Sequence, residues 1–229
     1  LVSSGAIGMG VGKLGLKSKP TDIETKQATA AIGQCELMYT YDKLFSEYNH
    51  NIGQILITAP DIEDAKRRHN FENTLFKLLE LGVIPIINEN DTVSTDEIVI
   101  GDNDTLSAVV SVCIKADMLI LLSDIDGLYT SDPRKNSDAE IISVVKEITP
   151  EIEKLGGNPG SVLGTGGMVT KLIAAEKAIN AGITSLSNEE LLAIILRCGT
   201  KGRNVLELSS LIMNKYYTFN NLINCSYEE

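Results

Sequence analysis

The sequence predicts an α/β fold in which helices cover both faces of a mostly parallel sheet. Short apolar runs rich in β-branched residues, such as residues 83–87 and 118–122, end abruptly in turn residues, as buried strands do. Longer amphipathic stretches with capping residues at their starts lie between these runs and are typical of helices. Because strands and helices alternate along the chain, a parallel sheet with crossover helices is favoured.

The chain starts on what reads as the tail of a strand, Leu1 and Val2. A strand that enters Ser3, Ser4 and Gly5 should begin earlier, so we expect that an N-terminal portion precedes residue 1. The small residues after the strand let a backbone approach a ligand closely. An ordinary tight turn into a helix also explains them and, taken alone, is the preferred interpretation.

Two long helices flank the next predicted strand. Residues 21–24 form a capping box that starts a helix reaching about Tyr48. Residues 54–58 are predicted as a strand. Pro60 then starts a second helix, and Gly82 ends it.

The second half of the chain continues this alternation. Asp102 or Asn103 caps a predicted helix that runs to about Lys115. The elements predicted after it are a strand at residues 118–122, a short strand at 141–145, a helix at 150–155, and a helix at 168–181 that Gly182 terminates.

Carboxylates and amides gather just past two predicted strands. Asn88, Glu89, Asn90 and Asp91 follow residues 83–87, and Gly101, Asp102, Asn103 and Asp104 follow a strand at residues 98–100. In open α/β sheets, ligands bind beyond the carboxyl ends of strands. Two solvated loops rich in Asp and Asn remain an equal alternative at this point.

A glycine-rich run before the helix at residues 168–181 forms a second centre. Its bare backbone amides lie at a predicted helix N-terminus, where the partial positive charge attracts phosphate. A flexible linker is the alternative, but Thr165, Thr170 and Lys171 favour phosphate. The run lacks the GKS or GKT of a P-loop. The acidic and amide groups at the strand ends suit the ammonium of an amino acid, and the glycine-rich run suits the phosphates of a nucleotide. An enzyme that transfers a phosphoryl group to an amino acid needs both sites.

Composition excludes several other classes of protein. The chain has 229 residues, a net charge of −11 and a pI near 4.7, which disfavours a dedicated nucleic-acid binder. Four cysteines without a CxxC pair disfavour a zinc site or a disulfide framework and fit a reducing cytoplasm. No apolar run approaches membrane-spanning length, and no signal peptide is visible.

Five ordered motifs then carry a specific resemblance: VSSGAIGMG, INENDTV, IGDNDTLSA, LLSDIDGLYTSDPR and GTGGMVTK. Residues 1–183 resemble the glutamate 5-kinases of the amino acid kinase family. The resemblance implies a three-layer αβα sandwich around a mostly parallel sheet. It implies transfer of the γ-phosphoryl of ATP, with Mg²⁺, to the side-chain carboxylate of L-glutamate. The product, glutamyl 5-phosphate, begins proline biosynthesis in the cytoplasm.

The resemblance also implies roles for particular residues. The positions matching glutamate binding are Ser4, Asn88, Asp91, Asp102 and Asn103. Those matching nucleotide binding are Ser123, Asp124, Thr165, Gly166, Gly167, Met168, Val169, Thr170 and Lys171. Lys171 is expected to stabilise the moving phosphoryl group, Asp104 to hold catalytic lysines, and Gly5 to donate its backbone amide. No protein ligand to a metal is assigned.

Further expectations follow from the same resemblance. Proline is expected as a feedback inhibitor that shares the glutamate pocket, and the protein as a homo-oligomer. Two departures from the family pattern lead us to expect impaired activity. The family's first strand, with a lysine and a glycine turn for the ATP phosphates, precedes residue 1, and the sandwich is not expected to continue past Ile183.

Residues 184–229 change character and are predicted as a separate appendage. Two amphipathic helices, at residues 189–197 and 204–216, are joined by a tight connection that contains glycine. This tail resembles the N-terminal helix-hairpin-helix region of RadC-like DNA repair proteins. Such hairpins can bind DNA phosphates, but four Lys and Arg against five Asp and Glu disfavour that here. A small helical packing element is preferred. The alternative for the whole chain is a non-catalytic fusion fragment whose tail is a DNA- or protein-interaction module.

Overall fold

The computed structural model describes residues 1–93, 102–123, 125, 127–156 and 167–186. Within these residues helices alternate with parallel strands, so the predicted α/β class is confirmed. The chain forms two compact units, one described up to Asn103 and the other from Asp104 onward. No helix in this described part is both long enough and apolar enough to cross a membrane.

The first unit is built on parallel pairing around one buried strand. β1 (Ile52–Ile57) pairs in parallel with β2 (Ile84–Glu89), with Ile52 opposite Ile84. On the other side of β2, Val2 forms a parallel bridge to Ile87, and the Ser3 amide donates to the Ile87 carbonyl at 2.9 Å. The predicted strand tail at the start of the chain is therefore confirmed, and its end lies beside the end of β2.

Two helices of the first unit pack unusually closely. α1 (Ala6–Leu14) and α2 (Ile23–Ser46) meet where a Cβ on Gly33 would lie 1.7 Å from the Ala6 carbonyl oxygen. A Cβ on Gly10 would likewise lie 2.0 Å from the carbonyl oxygen of Thr29. Real Cβ atoms never approach this closely, so this contact requires glycine on both helices.

Two of the predicted helix boundaries in this unit are wrong. The cap of α2 is Asp22 rather than Thr21, because the Asp22 carboxylate accepts the Thr25 amide at 2.8 Å. The helix predicted from Pro60 to Gly82 is two helices, α3 (Ala59–Glu63) and α4 (Ala65–Glu80). Asp64 between them adopts an extended backbone and accepts the Arg67 amide at 2.8 Å, so it caps a new helix instead of continuing the old one.

The second unit has its own small sheet and core. Its helices are α5 (Asn103–Cys113), which starts at the last residue of the first unit, α6 (Pro150–Leu155) and α7 (Met168–Asn180). β3 (Met118–Ile120) pairs in parallel with β4 (Thr184–Leu186). The buried side chains that form the core are Ala108, Leu119, Leu121, Ala174, Ala178 and Ile183.

Two predictions for this unit need correction. The sheet continues past Ile183, because β4 adds three residues beside β3. Residues 141–145 do not form a strand, and only an isolated antiparallel bridge joins Tyr129 to Ile141. Pairing is confined to the start of the segment, where the Ile142 amide donates to the Leu128 carbonyl at 2.8 Å, and Val144 beyond it is 69% exposed.

Several predictions lie outside the described residues. They concern the strand at residues 98–100, the site residues Asp124, Thr165 and Gly166, and the two tail helices at residues 189–197 and 204–216.

Candidate active site

A buried amide network lies at the strand ends of the first unit. Asn88, near the end of β2, is 2% exposed. Its side-chain oxygen accepts the Glu89 backbone amide at 2.9 Å and the Asn103 side-chain amide at 3.0 Å. Its own Nδ2 donates to the Gln34 side-chain oxygen at 3.1 Å. Asn88 therefore links β2 to α2 and to Asn103, the last described residue of the first unit.

Asn103 joins this network through its amide nitrogen alone. Besides the bond to Asn88, its Nδ2 donates to the Ser3 carbonyl oxygen at 3.0 Å. An amide nitrogen has two hydrogens, so both are used and the orientation of the side chain is fixed. Among the residues that the structure describes, the Asn103 side-chain oxygen has no hydrogen-bond partner, so it can accept a hydrogen bond from a ligand.

The strand tail contributes Ser3 to the network, and Ser4 lies outside it. The Ser3 hydroxyl lies 2.8 Å from the hydroxyl of Tyr41, whose pKa is raised by burial despite this hydrogen bond. Ser4, the predicted glutamate-binding residue, is exposed. Gly5 follows with a φ of 105°, a left-handed conformation that favours glycine, and caps α1. The turn after the strand thus leaves the Ser4 side chain open to a ligand.

Asp91 places a titratable group in the turn after β2. Burial raises its pKa from 3.8 to about 6, repulsion by Glu89 adds to the rise, and attraction by Lys19 partly opposes it. Asp102, the other predicted acidic member of the pocket, is half-buried just before α5. A carboxylate with a raised pKa binds a ligand cation favourably, since the cation replaces the solvation that burial removed.

The second unit holds a partly buried ion pair. Lys171 Nζ lies 2.9 and 3.1 Å from the two carboxylate oxygens of Asp104, and both side chains are less than 20% exposed. The Thr170 hydroxyl lies 2.7 Å from the same carboxylate. The structure therefore brings together Asp104 and Lys171, which the resemblance assigns as the organising aspartate and the lysine it holds.

Part of the predicted nucleotide segment forms the start of α7. Gly167 is its N-cap, and Met168, Val169, Thr170 and Lys171 make its first turn. The Thr170 amide donates to the Gly167 carbonyl at 3.1 Å, and the amides of Met168 and Val169, which precede it in this turn, point beyond the helix N-terminus. Ser123 is buried after β3. This geometry suits an anionic ligand next to Lys171.

Three members of the network, Ser3, Gln34 and Tyr41, were not found from the sequence. Gln34 and Tyr41 are seven residues apart, so they share one face of α2. In the structure, Gln34 is 7% exposed and lies three residues before Leu37, which is 0% exposed. The signal in the sequence was therefore a polar residue on the apolar face of the helix. A buried Gln between apolar neighbours needs a polar partner and therefore indicates a network.

The described residues do not form a preorganised metal-binding site. No three His, Cys, Asp or Glu side chains among them are grouped so that they could hold an ion. Both oxygens of Asp104 are already bound by Lys171. Mg²⁺ in phosphoryl-transfer sites is held by one or two carboxylates together with the substrate phosphates.

The tail matches a second family of proteins. Residues 174–229 match the family described as UPF0758 N-terminal. This agrees with the RadC-like segment predicted from the sequence, and it starts within α7.

Comparison with known proteins identifies the larger part of the chain. Residues 1–186 match the amino acid kinase family. Glutamate 5-kinase of Clostridium tetani is 55% identical over 205 residues, which cover 90% of this chain and 77% of that protein. Glutamate 5-kinase of Clostridium perfringens is 54% identical, covering 86% and 76%, and that of Clostridium acetobutylicum is 57% identical, covering 80% and 69%. The chain belongs to the amino acid kinase family.

Proposed function

We propose that this chain transfers the γ-phosphoryl group of ATP to the side-chain carboxylate of L-glutamate and forms glutamyl 5-phosphate. The observation that carries the proposal is the identity of 54–57% to relatives named glutamate 5-kinase, over 80–90% of the chain. The amide network and the ion pair supply chemistry that suits this reaction.

The first unit supplies groups for an amino acid. The free side-chain oxygen of Asn103, the carboxylate of Asp91 and the exposed hydroxyl of Ser4 can all accept hydrogen bonds from an ammonium. Asn88 keeps one amide hydrogen that none of its observed partners uses. In this proposal these four residues and Asp102 bind glutamate.

The second unit supplies charge for a phosphoryl group. Lys171 is proposed to stabilise the charge on the γ-phosphoryl oxygens in the transition state, and Asp104 to hold the lysine in position. Asp104 is not needed as a general base, because the glutamate side chain is already ionised at neutral pH. Gly5 is proposed to donate its backbone amide to the same group.

The nucleotide is proposed to bind at the start of α7 and near Ser123. The amides of Met168 and Val169 at the start of α7 can donate to phosphate oxygens. The Thr170 hydroxyl donates to Asp104 in this structure and would exchange that hydrogen bond for one to phosphate. The set named from the sequence also includes Asp124, Thr165 and Gly166, which stay predictions. Mg²⁺ bound with ATP neutralises phosphate charge, and we assign no residue of the described part to it.

A hydroxylamine trap tests the proposed reaction. An acyl phosphate reacts with hydroxylamine to form a hydroxamate and phosphate, so the wild-type protein with ATP and L-glutamate should give hydroxamate together with ADP. Lys171→Ala should lose about a hundredfold or more in turnover, whereas Lys177→Ala, which removes an exposed lysine of the same helix, should not. ADP release without hydroxamate would show ATP hydrolysis instead of carboxyl phosphorylation.

Regulation and assembly stay predictions of the same proposal. The reaction would be the first step of proline biosynthesis, and proline would compete with glutamate in the pocket of the first unit. Inhibition by proline that higher glutamate relieves supports this, and inhibition that glutamate leaves unchanged contradicts it. The predicted homo-oligomer is checked by light scattering.

A further inference from the structure

Gln34 makes a contact that only one orientation of its side chain allows. Its oxygen accepts from Asn88 Nδ2 at 3.1 Å. Its own Nε2 is buried and has no hydrogen-bond partner among the described residues. A buried amide nitrogen without a partner is costly, so the opposite orientation of Gln34 would be adopted if Asn88 permitted it.

Asn88 does not permit it, because a backbone group fixes its amide. The Glu89 N–H can only donate, and it donates to the Asn88 side-chain oxygen at 2.9 Å. The Asn88 nitrogen must then face α2, where it needs an acceptor. Gln34 meets that need with its oxygen and leaves its nitrogen unpaired.

The orientation of Asn88 in turn decides that of Asn103. The Asn88 oxygen accepts from Asn103 Nδ2 at 3.0 Å. If the Asn88 amide turned over, two NH₂ groups would face each other. Asn103 would then have to turn as well, and its oxygen would point into the network instead of toward a ligand.

We propose that Gln34 is a positioning residue for glutamate binding, which acts by holding the Asn88 amide so that the Asn103 oxygen stays available to the ligand. The ligand class is the one given above, so this inference rests on the proposed function. Gln34 itself need not touch the ligand. Its contribution depends on two hydrogen bonds, one that Asn88 donates to Gln34 and one that Asn103 donates to Asn88.

Two substitutions of similar size separate this role from simple packing. Gln34→Met removes the acceptor, whereas Gln34→Glu keeps a carbonyl oxygen that Asn88 can donate to, in either protonation state. We expect Gln34→Met to raise the KM for glutamate about three- to tenfold, with the KM for ATP and kcat within about twofold of wild type. Gln34→Glu should restore most of the affinity. Equal KM values for glutamate in the wild type and in Gln34→Met would overturn the proposal.

Nuclear magnetic resonance of the side-chain amides gives a readout that does not depend on activity. The NH₂ groups of Asn88 and Asn103 are assigned from the signals that Asn88→Asp and Asn103→Asp remove. In Gln34→Met both pairs should shift and exchange faster with solvent, and in Gln34→Glu both should stay close to wild type. If the wild-type protein does not phosphorylate glutamate, but the Asn88 and Asn103 signals still shift together in Gln34→Met, the proposed reaction is refuted and the positioning role is supported. If the wild-type protein is active, but the Asn103 signals are unchanged in Gln34→Met, the positioning role alone is refuted.

Discussion

Replacing Asp91 by asparagine should make the protein more stable while weakening glutamate binding. Burial raises the pKa of this carboxyl to about 6, so the ionised form costs folding free energy at neutral pH. Asparagine has nearly the same shape and carries no charge. The substitution therefore removes the desolvation cost without creating a cavity.

The size and pH dependence of this effect follow from linkage. The rise in pKa from 3.8 to about 6 corresponds to about 3 kcal/mol of lost stability above pH 6. Because the side chain keeps part of its surface in water, we discount this to roughly 1–2 kcal/mol. A folded pKa above the unfolded one means that the folded state binds more protons between pH 4 and 6. Stability of the wild type therefore falls through that window as pH rises, and Asp91→Asn should lack this fall.

Urea unfolding of both proteins at several pH values between 4 and 8 measures the difference. Asp91→Asn should gain little near pH 4 and reach its full advantage above about pH 7, while its KM for glutamate rises. The exposed Asp117→Asn serves as the matched control and should show neither change. A stability difference between Asp91→Asn and wild type that stays constant with pH would refute the reasoning.

Three further substitutions test other contacts. Asp104→Asn keeps an acceptor for Thr170 but removes the charge that holds Lys171, so kcat for hydroxamate formation should fall about a hundredfold; unchanged kcat would exclude the positioning role. Tyr41→Phe removes one of the two partners of the Ser3 hydroxyl, which also donates to the Ser4 carbonyl, and should cost about 1 kcal/mol in urea unfolding; unchanged stability would contradict this. Gly33→Ala places a Cβ 1.7 Å from a carbonyl oxygen and should cost about 1–3 kcal/mol, whereas Gly167→Ala, which meets no atom within 4 Å, should unfold like wild type.

The elements that position the candidate site could be predicted because local chemistry alone specifies them. The apolar run ending at Ile87 and the amides that follow it mark a buried strand and its carboxyl end. Lys171 and its glycines mark a helix start, which α7 confirms. The break between α3 and α4 at Asp64 was not predicted, because an Asp can lie within a helix or cap the start of a new one. Only the tertiary context decides which of these two positions Asp64 takes.

The positioning contacts could not be predicted in the same way. Gln34 and Asn88 are 54 residues apart in sequence, and nothing local to either indicates the other. The close packing of α1 on α2 depends on Gly10 and Gly33, which a sequence read alone would rate as weak helix formers. Their value appears only when two helices meet. Contacts between residues far apart in sequence depend on how the helices and strands pack against each other. They cannot be predicted from the propensities of the separate helices and strands.

The proposed pocket of the first unit combines neutral amides with the carboxylates of Asp91 and Asp102, and the raised pKa of Asp91 has a measurable consequence. Asn88 and Asn103 present fixed hydrogen-bonding groups that do not titrate, so they can be buried without a charge cost. Asp91 adds a charge, and the pKa of its carboxyl is raised to about 6. If this carboxylate binds the glutamate ammonium, the KM for glutamate should rise about tenfold per pH unit below 6, since protonation removes the charge. Asp91→Asn should abolish that rise and leave a weak, pH-independent affinity supplied by the amides, whereas an unchanged pH profile would assign the titration to another group.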